Sequence, residues 1–301
     1  MSGGPPGSTW KEAAEAGPRN ADSTRGEHFH ELVRGRSFAY WLVVGTVASL
    51  VAGPALHSAA LLVAGPLAVG TVAVLAAFSS ADRRAERDFF GEYASARGLA
   101  YVGDMAVLPL TPLLGAGDRR RTEHWMQGRL EDGRELSFGH YGYEVHERDK
   151  RGRAVRRQKR HFTISVVDLE TGMSLFPGLF LCRCRGLFGM IDGEDWLSHH
   201  GRHRVELESA SLCERYDLWV DDAQDELLLR ELFTPSFEVL LAEHPLAPCF
   251  EYRAGTLVVY VEHRIEDEGH LDWMREVTAK IAARIDAEVE EAGAASPAAR
   301  S

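Results

Sequence analysis

The chain has 301 residues, 45% of them hydrophobic and 26% charged, with four cysteines and a formal net charge of -11. That charge argues against a general nucleic-acid binder, and the apolar fraction argues against disorder throughout; so few cysteines exclude a disulfide-dense secreted scaffold. Hydropathy and charge are both distributed unevenly, and the unevenness carries most of the information.

Residues 1–35 are rich in Gly, Pro, Ser and interleaved charge, lack apolar periodicity, and read as a disordered cytoplasmic tail. From Ser37 to Phe78, 42 consecutive residues carry no Lys, Arg, Asp or Glu. A single helix of that length would be about 63 Å long, roughly twice the hydrocarbon core of a bilayer. The run is therefore expected to fold back at Gly53-Pro54 as a transmembrane helical hairpin within 36–80, with spans near 37–53 and 58–79. Gly45, Ser49 and Gly53, and then Ala60, Ala64 and Ala68, recur every four residues, a spacing that lets helices approach closely in lipid. Arg25, Arg34 and Arg36 precede the run and Arg83, Arg84, Arg87 and Arg97 follow it, while the connecting turn has no cation. The positive-inside rule then predicts a multi-pass protein of the plasma membrane with both termini cytoplasmic. Neither span offers an acid or base for an ion pathway, so an anchor is expected rather than a transporter.

The segment 81–292 reads as a cytoplasmic α+β domain, and 293–301 as a second disordered tail. Its first helix should run from Ala81 to Ala96, with Phe89, Phe90 and Tyr93 on one face and Gly98 as C-cap. Asp132-Gly133 predicts a two-residue hairpin turn between strands at 126–131 and 134–145. Alternation predicts further strands at 161–168 and 179–185 and a short one through Val205 and Leu207. Thr234-Pro235 should open a short helix that stops before Pro245. Strands at 249–253 and 256–263 flank Ala254-Gly255, and a closing amphipathic helix near 269–291 carries Met274, Val277, Ile281, Ile285 and Val289 on one face. The fold class is α+β: an N-terminal two-helix transmembrane hairpin, then a soluble, mainly antiparallel-sheet domain with a C-terminal amphipathic helix.

Several short stretches along this domain occur in a familiar order: Arg97-Gly98-Leu99-Ala100-Tyr101, Asp118-Arg119-Arg120-Arg121, Phe176-Pro177-Gly178-Leu179-Phe180, Leu207-Glu208-Ser209, Arg215-Tyr216, Asp221-Asp222 and Leu232-Phe233-Thr234-Pro235. Over roughly residues 85–290 the chain resembles a family of bacterial membrane proteins that carry a cytoplasmic domain of unknown function behind two N-terminal spans. The resemblance implies the same topology. It implies no catalytic residues. By residue chemistry alone, Arg215 is expected to pair with Asp221 or Asp222.

Three features bear on chemistry. Eight of the 13 residues from 148 to 160 are basic: Arg148, Lys150, Arg151, Arg153, Arg156, Arg157, Lys159 and Arg160. They read as the tip of a long hairpin, with Gly152 at its centre, suited to anionic headgroups or an acidic protein partner at roughly 1 kcal/mol per contacting cation. His199, His200 and His203, placed in a loop, offer an alternative reading as ligands of a divalent metal in a membrane-anchored hydrolase. Cys182, Cys184, Cys213 and Cys249 read as buried apolar residues, with a four-cysteine zinc site as the alternative. No phosphate loop, nucleophile elbow or metalloprotease motif is present, and no cofactor is expected. The function expected is that of a membrane-anchored cytoplasmic interaction or regulatory module, more consistent with a non-enzymatic role. Charge sharpens this: residues 79–161 carry 17 Lys and Arg against 13 Asp and Glu, and residues 162–301 carry 12 against 27.

Overall fold

The computed structural model describes residues 80, 82–148, 154–173, 175–183, 201–243 and 245–295. The expected spans at 37–53 and 58–79 and both expected tails, save 293–295, lie outside the described residues. Among the described residues, no helix is long and apolar enough to cross a membrane.

The chain divides into two compact units, one of residues 1–96 with 266–269 and one of 97–265 with 270–301. In the first, a helix (α1) covers 82–96. Its Phe89, Phe90 and Tyr93 are buried, and Gly98 follows with φ of 67°, the left-handed conformation that ends a helix without Cβ strain.

The second unit is built on one nine-stranded sheet in which every neighbouring pair is antiparallel. In chain order its elements begin with β1 (Ala100–Gly103), α2 (Pro112–Gly115), β2 (Arg119–Arg129), β3 (Glu135–Arg148) and β4 (Ala154–Asp168). After a 3-10 turn (Glu170–Gly172) come β5 (Gly178–Arg183), β6 (Arg202–Val205), α3 (Ala210–Cys213), β7 (Tyr216–Asp221), α4 (Glu226–Leu232) and α5 (Pro235–Ala242). The chain closes with β8 (Cys249–Arg253), β9 (Thr256–Val261) and α6 (Glu268–Ala295), whose first two residues belong to the other unit. The spatial order is β1-β2-β3-β4-β9-β8-β5-β7-β6.

Cross-strand partners in an antiparallel pair point to the same side, so the register sorts the side chains into two faces. One face carries Tyr141, Phe162, Ile164, Tyr260, Val258, Glu251 and Phe180 in adjoining pairs. The other carries His140, Thr163, Val259, Phe250, Tyr252, Leu179 and Val220. On this second face Tyr252 donates to the Leu169 carbonyl at 2.8 Å, and the 3-10 turn beside it is fastened to α6 by Thr171 donating to Asp286 at 2.8 Å. Met274, Val277, Ile281 and Ile285 of α6 are buried, as its period of 3.6 predicts, whereas Val289, expected with them, is only partly buried and Glu288 takes the buried position.

Local turns explain the sheet's edges. Ala254 and Gly255 both take positive φ, 50° and 78°, as a tight two-residue turn between β8 and β9 requires. The Asp132-Gly133 turn is longer than expected. Leu130 N–H donates to Arg134 O at 2.9 Å and Gly133 N–H to Leu130 O at 3.0 Å, so three residues, Glu131 to Gly133, form the loop. Gly133 supplies the positive φ of 91° at its end, the place of the glycine in a three-residue hairpin. The short strand expected through Val205 and Leu207 is β6, ending at Val205, because Arg202–Val205 pairs with β7 and Leu207 has passed the edge. The basic run is partly strand: β3 and β4 pair out to Arg148 and Ala154, with a register shift between Glu147 and Arg148.

Between Glu123 and Met126 the β2–β3 register shifts, with His124 at φ of 53°. Gly139 lies opposite this bulge. A Cβ there would stand 2.9 Å from both His124 O and Trp125 Cα, atoms of backbone that have no rotamer to relieve the contact. Gly139→Ala is therefore expected to lower stability by about 2 kcal/mol or more. Gly91→Ala, in α1 with nothing within 4 Å, is expected to raise it by about 0.5–1 kcal/mol. Chemical denaturation of both variants checks the contrast.

Candidate functional site

Of the eight basic residues, Lys150, Arg151 and Arg153 lie outside the described residues, and Arg148 closes β3. Arg156, Arg157, Lys159 and Arg160 belong to β4, where alternation sends Lys159 and Arg160 to opposite faces. Lys159 Nζ approaches Glu144 Oε1 at 3.6 Å and is half exposed.

At the base of this hairpin is a cleft of about 390 Å³. Its floor is set by register. Arg121, Gly142 and His161 form one cross-strand row, and Arg119, Glu144 and Lys159 form the next. Gly142 leaves the middle of the first row without a side chain; a Cβ there would meet Arg160 O at 3.1 Å and His161 Nδ1 at 3.3 Å. The far wall is Glu123, whose carboxylate pairs with Arg121 at 3.1 Å and with Arg264 at 2.8 Å. Arg120 also lines the cleft, but its guanidinium reaches back to donate to Leu114 O at 3.1 Å.

The reading of His199, His200 and His203 as one metal centre finds no support in the described part. His199 and His200 lie outside it, and His203 sits in β6 rather than a loop, its Nδ1 3.2 Å from Asp222 Oδ1. No group of three or more His, Cys, Asp or Glu suited to a metal occurs among the described residues. Cys184 lies outside the described residues. Of the cysteines expected to be buried, Cys249 is, whereas Cys182 and Cys213 are only partly buried because each lies at or near the end of its element; their thiols donate to the backbone carbonyls of Ala247, Asp217 and Leu207 respectively. Burial pushes the Cys249 thiol well up, which disfavours the thiolate a metal requires. Asp221 takes its cation from β6: Arg202 Nε donates to it at 3.0 Å while the guanidinium lies 4.3 Å over the Phe180 ring. The expected partner, Arg215, is displaced because β6–β7 pairing sets Arg202 directly opposite Asp221.

Among the described residues the buried ionisable side chains include His140, Glu251 and Glu288, and Glu251 is the one placed against α2. Glu251 lies in the middle of β8, 1% exposed, and its Oε2 accepts from Leu113 N–H at 2.8 Å. Tyr141 donates to the carbonyls of Leu113 and Leu114, each at 3.2 Å, so α2 is held onto this face by three strands. Burial pushes the Glu251 carboxyl up to about 7, against the opposing pull of the Leu113 N–H, the Thr111 hydroxyl and the charges of Arg202 and Arg253. The sequence signal was an acid between Phe250 and Tyr252, which alternation alone assigns to solvent.

No family model matches the chain, and no curated protein sequence matches it. Among solved structures it is similar to the crystal structure of the mycobacterial trehalose monomycolate transport factor A, at a TM-score of 0.44 and 9% identity, covering 68% of this chain and 95% of that one. A likeness this distant carries no role across.

The folded protein holds the Glu251 proton more tightly than the unfolded chain does. Stability present below the ordinary carboxylate value of 4.5 is lost as pH rises through about 7, by an amount on the order of 3 kcal/mol. Glu251→Gln keeps an acceptor for Leu113 N–H but cannot ionise. The stability difference between variant and parent, from urea denaturation at pH 5 and pH 8, is expected to move in the variant's favour by that order; a pH-independent difference contradicts the assignment.

Proposed function

We propose that the chain is a membrane-anchored interaction or regulatory module, one of the two-span membrane proteins it resembles in sequence, with the α+β domain on the cytoplasmic side of the plasma membrane. The observation that carries this reading is the charge-free run from Ser37 to Phe78, long enough for two passes and flanked by arginines on both sides. The domain organisation follows from it: tail, helical hairpin, domain, tail.

The fold adds support through charge. The basic part of the chain supplies β1 to β4, which occupy one side of the sheet, and the remaining strands occupy the other. At that acidic side a second cleft, of about 670 Å³, is lined by Glu206, Glu208, Glu226, Glu231, Glu238 and Glu291 among others. Burial and the nearby Glu208 push the Glu238 carboxyl up. A domain polarised in this way orients in the field of an anionic surface, basic hairpin first.

Two measurements test the reading. A reporter fused to the C-terminus is expected to be active on the cytoplasmic side only; activity solely on the outer side overturns the orientation. A fragment beginning at residue 81 is expected to bind phosphatidylglycerol vesicles in a salt-sensitive way. Replacing Lys150, Arg151, Arg153 and Arg156 by Ser should weaken that binding tenfold or more, and unchanged binding overturns the lipid contact.

A further inference from the structure

The cleft at the base of the β3–β4 hairpin has a built floor and walls that the hairpin's headgroup contact does not explain. Its floor is Gly142, the one position in the Arg121–Gly142–His161 row where the chain presents no side chain. Arg121 and His161 flank that gap; Arg119 and Lys159 close one end, and Arg264 stands at the other. Four of these residues are cations, and they face two carboxylates of the lining, Glu123 and Glu144, with Asp104 approaching Arg121 at 3.9 Å from outside it, so the lining is net positive. Glu123 is shared between Arg121 and Arg264, which holds both guanidinium groups in place beside the opening.

We propose that this cleft is a binding site for a single phosphate group, a phosphomonoester whose oxygens accept from Arg121 and Arg119 on one wall and from Lys159 and His161 on the other. The net positive lining suits a phosphomonoester dianion. Guanidinium groups supply the forked donors that phosphate oxygens accept in pairs, which a lone ammonium cannot. A volume of about 390 Å³ is at the small end of the range for small-molecule sites, large enough for the phosphate and a short polar body. Gly142 is required because a side chain there would press on Arg160 O and on the His161 imidazole, whose Nδ1 would be 3.3 Å from its Cβ, and so displace a ring that faces the phosphate. The site rests on the cleft alone and holds whether or not the hairpin tip meets a bilayer. The phosphate can belong to a soluble ester or to a lipid headgroup, and the two sources are distinguished by the experiment.

The full-length chain in a non-ionic detergent is titrated calorimetrically with glycerol 3-phosphate, with monomeric dihexanoyl phosphatidic acid, and with dihexanoyl phosphatidylcholine and sulfate as controls. Saturable 1:1 binding of the phosphomonoesters over both controls is expected. Tighter binding of the lipid identifies a headgroup site, and equal binding identifies a soluble ester. Arg119→Ser with Arg121→Ser should weaken it at least tenfold, and Gly142→Val should do the same without changing charge. Arg129→Ser, an exposed cation outside the cleft, should leave it unchanged. Thermal melts of each variant separate lost binding from lost folding; where Gly142→Val lowers the melting temperature, Arg121→Lys, which keeps the charge and loses the fork, replaces it. Absence of binding over sulfate, equal loss in Arg129→Ser, or tighter binding of a poly-glutamate peptide than of either phosphomonoester overturns the proposal.

Discussion

The sheet of the second unit depends on one constraint: its central strands are buried on both faces. All six residues of β9 and four of the five in β8 are buried, so every backbone N–H and C=O in that region must be satisfied within the ladder and both faces must be covered. The antiparallel pairing of β4, β9, β8 and β5 meets the first requirement without interruption. On one face α6 and the helices before it meet the second: Arg284 of α6 donates to Leu232 O at 3.0 Å, and Tyr216 of β7 donates to Leu241 O of α5 at 3.0 Å. On the other face, α2 has only four residues and is too short to hold itself by propensity or apolar area. It is held by hydrogen bonds from Tyr141 and Arg120 and to Glu251.

That arrangement explains why an acid sits where an aliphatic residue would be expected. The Leu113 N–H is a donor at the start of α2 with no partner in its own turn, and it is covered by the sheet. A carboxyl on β8 satisfies it, at the cost of burying an ionisable group. The result is a carboxyl that titrates near neutrality inside the fold, so the docking of α2 is coupled to pH by the same contact that stabilises it.

Strand order turns a gradient along the chain into a gradient across the sheet. Because β1 to β4 are consecutive in space as well as in sequence, the basic stretch stays together rather than interleaving with acidic strands. The return of β9 beside β4 then puts the acidic remainder on the other side. Ion pairs such as Arg134–Asp286, at 2.7 Å and partly buried, join the two parts locally, whereas pairs of exposed side chains add little to stability.

The sequence by itself determined the elements whose signals are local. Helical period placed α1 and most of the buried face of α6, alternation placed β5 and the second half of β4, and the Ala254-Gly255 turn placed β8 and β9 on either side of it. The dipeptides Ala254-Gly255 and Thr234-Pro235 marked a turn and a helix start that form where they stand. It also determined the uneven charge and the long apolar run, which are properties of composition. Only the tertiary structure decided which residues meet. Asp221 faces Arg202 instead of Arg215, Glu251 is buried instead of solvated, and Gly142 becomes the floor of a cleft walled by Arg121 and His161. Strand alternation shows that one face of a segment is apolar but not whether the opposite face is covered. Cross-strand neighbours are fixed by register between segments far apart in the chain, and no local spacing encodes that register.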